Sequence, residues 1–477
     1  MLRYTHLIIV LLFCITKSHA QSLPIASYGT WDRGGRITNF SDPNVDFVMG
    51  IEASEKWEDI EHNRGIFDFS SFQQALNKAY ANNKLIRFSI DVGPDAPLWM
   101  FDNDTNPNNN PYPQVQKVTT SGGNWPFYPE YLTPTYKNYF FGLIQQFSNF
   151  LRSQPAEKFR LIAFVQVKTG CTGDEIPYKG NVDNPIYEIS DNTWEDFRIE
   201  AFNQFKISFN NVIDKKIVLT FNNIDPADPN ELRAWNWINT NIDPVIGFGI
   251  KGGAFNRGHH LTGEQDYKNS LYQYLVNPAG LKIFSASEMD GTWQDPLFSI
   301  STDLSFYWAA LGGINVGLST TNLNGTAMDY VTTHASTRET FRMFNRYAQQ
   351  VYPATATTAF SIFHEGLNSA DRVKFPESIY GNSNMDNQAR YLAICNDPKY
   401  SNRGARMDDV FAATKGQVYQ RASQTGLNDA GWNIAEGNIE RFFTQINPDA
   451  TSIGLFRVRG AITSTSSKYD RFARSFE

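Results

Sequence analysis

The stretch FRLIAFVQVKTGCTGDEIPYKG, residues 159–180, starts as a β-strand and then stops behaving like one. Phe164 to Val167 reads as a buried run, yet Gln166 and Lys168 enter it at period two, the spacing that puts side chains on one face of a strand. Two glycines then bracket Cys171, and Asp174 and Glu175 follow at once. A strand that ends by delivering polar groups and acids to a glycine-rich loop suggests a sheet whose strand ends carry chemistry.

Seven further runs of this kind lie along the chain: Pro24–Trp31, Val45–Glu52, Lys84–Val92, Lys215–Asn223, Asp243–Lys251, Leu281–Glu288 and Gly312–Thr320. Helical spacing fills the intervals between them. Phe72, Leu76 and Ala79 share one face, as do Tyr139, Leu143, Phe147 and Leu151, and Phe197, Ala201 and Phe205. Asp191-Asn192-Thr193 is capping material for the last of these. Strands alternating with helices imply a parallel sheet, and eight of them imply closure into a (β/α)₈ barrel. An open doubly wound sheet is the competing arrangement, but the chain has neither GxGxxG nor P-loop spacing to support it. We place the barrel at residues 21–350, closed by a helix over TRETFRMFNRYAQQV, with an accessory α/β region at 351–477. The long Asn-, Pro- and Gly-rich insert at 102–126 follows the third strand and is expected to form a rim loop.

Residues 1–20 read as a signal peptide. Arg3 gives a positive start, Leu7–Ile15 an apolar core, and Ser18-His19-Ala20 a small-x-small cleavage site. The apolar run is too short to span a bilayer, so a secreted or periplasmic protein with no membrane span is expected. The net charge of −7 speaks against a nucleic-acid surface. Beyond the signal only Cys171 and Cys395 remain, and whether they pair is left open. His259 and His260 are adjacent and cannot share a helix face, and no metal motif or cofactor loop is present, so neither a metal nor a cofactor is expected. Aromatic residues make up 14% of the chain, suiting either core packing or a groove for sugar rings.

In barrel enzymes the catalytic groups come from the C-terminal ends of the strands. Those ends here supply Glu52, Asp91, Gln166, Lys168, Asn222, Lys251, His259, His260 and Glu288, with Trp57, Trp99 and Trp293 close behind as candidate stacking platforms. Glu175, after the fourth strand, and Glu288, closing the seventh, are the two strongest acids. Paired carboxyls across a barrel mouth suit glycoside hydrolysis, where one carboxyl protonates the leaving oxygen and the other attacks the sugar carbon or activates water. Carboxyls about 5 Å apart give retention, and about 6.5–9.5 Å inversion. The cations at the mouth raise the prospect of a sulfated substrate. A non-catalytic barrel that binds carbohydrate is the alternative from another class.

Several motifs carry a family likeness. VMGIEASEKWEDIEHNRGIFDFSSF (48–72) resembles the W…E…G.YDF segment of retaining barrel glycosidases of the β-galactosidase and agarase type, families 35 and 42. PLWM (97–100), PEYLTPTYKNYF (129–140) and AFVQV (163–167) resemble their P-x-W-L, P-x-Y-L and fourth-strand segments. The resemblance implies a galactan or its oligosaccharides as substrate, Glu175 as acid/base and Glu288 as nucleophile. One departure stands out. Those families place Asn-Glu directly at the end of strand four, where this chain has Lys168-Thr169-Gly170. The nearest acids come only in the following loop, and Asp174 is the first substitute for Glu175.

Overall fold

A computed structural model describes residues 28–101, 113–171, 175–222 and, with gaps, 224–348, together with the backbone of three later strands. Eight parallel strands close into a barrel: β1 (Gly29–Arg33), β2 (Val48–Lys56), β3 (Leu85–Asp91), β4 (Ile162–Val167), β5 (Val218–Asn222), β6 (Phe248–Lys251), β7 (Phe284–Glu288) and β8 (Thr320–Leu323). Each pairs with its sequence neighbours, and β8 pairs back onto β1 through Gly29↔Thr320 and Thr30↔Thr321. The expected (β/α)₈ architecture is therefore the one observed.

The strand expected at Gly312–Thr320 begins where that run ends. It is set by register: Ala286 and Gly29 both face Thr320, so Asn322 stands within the strand opposite Glu288. Residues 311–317 lie outside the described set.

Among the described helices, α1 (Ser70–Ala81), α2 (Pro134–Arg152) and α3 (Asp191–Asn210) bury the faces their spacing indicates. Helix α3 is capped one residue earlier than expected. Ser190 has extended backbone and its Oγ accepts from Thr193 N, which makes Asp191 the first helical residue rather than a cap. Three more helices follow: α4 (Leu232–Asn241), α5 (Gly325–Thr333) and α6 (Ala335–Tyr347). Asn345 on α6 accepts from Thr30 N at 2.7 Å and Thr30 Oγ1 at 2.9 Å, and it donates to Phe47 O at 2.6 Å. The closing helix is thus fastened to the first strand by side-chain amide bonds.

Aromatic packing dominates between helices and sheet. Phe72 stands edge-on to Phe88 of β3 at 5.0 Å, while Tyr136, Phe140 and Phe197 join α2 to α3. A second, separate apolar cluster lies inside the barrel. Trp31, Phe164 and Phe284 pack there with Ala163 and Ala286, at ring separations of 5.4 and 4.7 Å. Gly50 makes room for it, since a Cβ there would lie 2.5 Å from the Trp31 ring.

The insert after β3 is tied into the rim. Lys117–Val118 pairs with Tyr128–Pro129, and Thr120–Ser121 pairs with Asn181–Val182 from the loop after β4. Beyond residue 350, within the expected accessory region, β9 (Ala359–Glu365), β10 (Ala389–Cys395) and β11 (Ile453–Leu455) form an antiparallel sheet. Among the described residues no helix is long and apolar enough to cross a membrane.

Candidate active site

Alternation along the strands stacks three inward-facing layers inside the barrel. Trp31, Phe164 and Phe284 form the apolar floor. Above this floor the lining turns polar. Arg87 donates one guanidinium nitrogen to Gln166 Oε1 and another to Glu52 Oε2, and Asn322 Nδ2 reaches both Glu52 oxygens at 3.0 and 3.1 Å. These contacts join β8, β2, β3 and β4 across the barrel. Two residues further still, Ser54 Oγ donates to Asp91 Oδ2 at 2.9 Å, Lys168 Nζ pairs with Asp91 Oδ1, and Ser89 Oγ donates to Ser54 Oγ at 2.9 Å. At the same height Glu288 meets Arg33 of β1 at 3.1 Å.

The carboxyls sit in unequal surroundings. Burial pushes the Asp91 carboxyl up, but the Lys168 ammonium, the bonds from Lys168 and Ser54, and the Arg87 charge together hold it below the usual aspartate value. Asp95, just past β3 and 3.0 Å from Lys56, goes the other way. Burial raises it, and Lys56 only partly offsets the rise.

Glu175 is folded back onto the strand ends. Its backbone adopts φ +56°, uncommon for a residue with a Cβ, and Cys171 N donates to Ile176 O at 2.9 Å to close the loop. The carboxylate is only 3% exposed. Oε2 accepts from Thr169 N and Thr169 Oγ1, each at 2.6 Å, and from Gly170 N at 3.2 Å. Among the described residues Oε1 accepts one long bond, 3.3 Å, from Asn222 Nδ2 at the end of β5. Trp194 Nε1 donates to the Glu175 carbonyl at 2.6 Å and fixes the turn from below. Gly170 is needed here, because a Cβ would come within 2.5 Å of Ile176 O.

The residues picked from the sequence therefore divide. Glu52 and Gln166 belong to the middle layer, and Asp91, Lys168 and Glu288 to the upper one. Asn222 is held against Glu175. Trp57 is not a stacking platform. It is fully buried against Tyr136 and Phe140 and gives its indole N–H to Glu61 Oε2 at 2.8 Å. Trp99 is partly buried, edge-on to Tyr139, with its N–H on the Glu61 carbonyl at 2.8 Å. Both tryptophans brace the segment after β2, and Trp57 has no face open to a ligand. Cys171 is a buried thiol in the core. The side chain of Lys251, together with Asp174, His259, His260 and Trp293, lies outside the described residues.

Arg33 and Arg87 were not singled out from the sequence. Their signal was present: each follows an apolar inward residue by two, as Gln166 follows Phe164. Among the described residues no group of His, Cys, Asp and Glu could hold a metal ion.

No protein-family model matches the chain, and a search of curated proteins finds no match. Solved structures of similar fold include an intracellular xylanase from Thermoanaerobacterium saccharolyticum, at 14% identity, 62% of this chain, 85% of that one and a TM-score of 0.39. A trimodular endo-β-1,4-glucanase from Bacillus halodurans matches at 11% identity, over 72% of this chain and 66% of that one, with a TM-score of 0.43. A family 5 xyloglucanase from Paenibacillus pabuli matches at 11% identity, over 67% and 99%, with a TM-score of 0.37. At such identities the likeness concerns the barrel alone. Their names are those of xylan-, glucan- and xyloglucan-degrading enzymes, so the narrower resemblance to families 35 and 42 draws nothing from them.

Proposed function

We propose that the chain is an exported retaining glycoside hydrolase that cleaves a polysaccharide or its oligosaccharides. The observation that carries this reading is the stacked pair of polar layers at the C-terminal mouth, with Glu288 in the upper one. A floor of Trp31, Phe164 and Phe284 excludes water from below, while two rows of hydrogen-bonding groups face upward, as a hydroxyl-rich ligand requires. Glu288 is the proposed nucleophile. Its ion pair with Arg33 favours the ionised form that must attack the anomeric carbon.

Glu175 is the proposed acid/base. Its Oε2 accepts from three donors, whereas among the described residues Oε1 holds only the long bond from Asn222, and it is the oxygen assigned to pass a proton to the leaving group. Galactans come first among substrates to try, on the resemblance of the 48–72 and 97–100 segments. The test is a screen of purified protein against a panel of neutral and sulfated polysaccharides, reading reducing ends and product sizes. Release from one member supports the hydrolase.

The second reading, a barrel that binds carbohydrate without cleaving it, is favoured by one specific observation. Lys168-Thr169-Gly170, with Lys168 engaged with Asp91, stands where the resembling families carry Asn-Glu. Binding without release across the panel would favour it.

A further inference from the structure

Apart from Glu175, whose carboxylate is held by neutral donors, the charges singled out at the described part of the mouth come in matched pairs. Arg33 meets Glu288 at 3.1 Å, Lys56 meets Asp95 at 3.0 Å, Lys168 lies on Asp91, and Arg87 lies on Glu52 one layer below. In the three upper pairs each cation comes from one strand end and its carboxylate from another strand end or the loop just beyond it, whereas Arg87 and Glu52 lie within β3 and β2. Burial deepens down the barrel. The Arg87 and Glu52 side chains are 6% and 8% exposed, against 11% and 20% for Lys168 and Asp91.

We infer that the part of the mouth built by β1–β4 and β7 accepts an uncharged sugar ring and disfavours a sulfated or uronic one. This rests on the hydrolase reading above and narrows its substrate class. A sulfate needs cations whose donors are free to meet it. A sulfate drawn to one of these cations stands beside the carboxylate that the cation already neutralises, and at the partly buried Lys168–Asp91 pair that repulsion is poorly screened. A neutral ring meets no such conflict. Its hydroxyls can accept from lysine and arginine N–H groups and donate to carboxylate oxygens while the pairs stay intact. Lys168, which the sequence offers as a sulfate ligand, instead serves to hold Asp91 ionised.

The inference is tested on binding, with turnover of the unactivated oligosaccharide suppressed by Glu175→Gln, which leaves all four charge pairs intact. Calorimetry would compare a neutral galactan oligosaccharide with the same oligosaccharide after chemical sulfation. The neutral form is expected to bind tighter, and its affinity to be nearly indifferent to salt. In that background Asp91→Asn releases Lys168 from its partner. It should raise the ratio of sulfated to neutral affinity by about tenfold, the scale of one charge-assisted hydrogen bond. Lys168→Met should leave that ratio within about twofold of its starting value, because a paired lysine contributes little to anion binding. Tighter binding of the sulfated form by the parent protein, or a ratio that collapses in Lys168→Met, overturns the inference. If the wild-type protein binds but releases no reducing ends, the hydrolase reading fails while this comparison stands.

Discussion

The two ends of the barrel interior obey one rule and serve opposite purposes. At the floor, inward positions on β1, β4 and β7 carry Trp31, Phe164 and Phe284, which close the barrel like a small core. One and two steps of the same alternation higher, those strands carry Arg33, Gln166, Lys168 and Glu288 instead. On β1 and β4 the change from apolar to polar occurs within two residues, while on β7 Ala286 stands between Phe284 and Glu288. Stability is concentrated below, and hydrogen-bonding capacity above, where every group must find a partner at the cost of its own hydration.

Substitutions at the two levels should therefore separate activity from stability. Above, Glu288→Gln is expected to lose at least about 10³-fold in rate while remaining folded, as removal of a nucleophile from a concerted set does. Steady-state kinetics with circular dichroism on the same sample checks this, and loss of fold in parallel with activity would erase the distinction. Below, Phe164→Ala should cost about 3–5 kcal/mol of stability, because it opens a cavity between Trp31 and Phe284. Chemical denaturation gives the value, and the surviving folded fraction should keep much of its activity.

Glu175→Gln should slow cleavage of unactivated glycosides by about 10²-fold or more but spare substrates with good leaving groups, the pattern expected when a general acid is lost. Equal loss on both substrate kinds would make Glu175 a structural carboxylate, holding the Thr169–Gly170 turn. Trp57→Phe should cost about 1–3 kcal/mol through the unpaired Glu61 oxygen and leave KM unchanged. A raised KM would return Trp57 to the binding surface, against its burial.

The smallest effect concerns pH. The Asp91 carboxyl is held below its ordinary value of 3.8, so its stabilisation is present above that value and is lost as pH falls beneath it. Asp95 has the opposite sign. Its raised value means a contribution present below the ordinary range and lost as pH rises through the folded pKa. Melting temperature against pH should show a shallower acid-side decline in Asp91→Asn than in the parent protein.

Much of the fold could be read in advance, because period-two and helical spacing act within a single element. The faces of α1 and α2 and seven of the eight strand positions followed from it. The eighth strand was shifted because its register is fixed by β7 and β1, not by its own apolar run. Reading the site required knowing which strand ends meet. Trp57 looked like a platform because an aromatic after a strand has two possible directions, and only its burial and its bond to Glu61 show which was taken. Lys168 looked available because its partner lies 77 residues earlier in the chain.

The central claim is that the mouth supports double displacement. Proton NMR of the first product released from a cleaved polysaccharide tests it most directly. The account predicts that the new reducing end appears with the anomeric configuration of the original bond and only later mutarotates. An inverted first product would contradict it, as would a bound polysaccharide from which no reducing end is ever released.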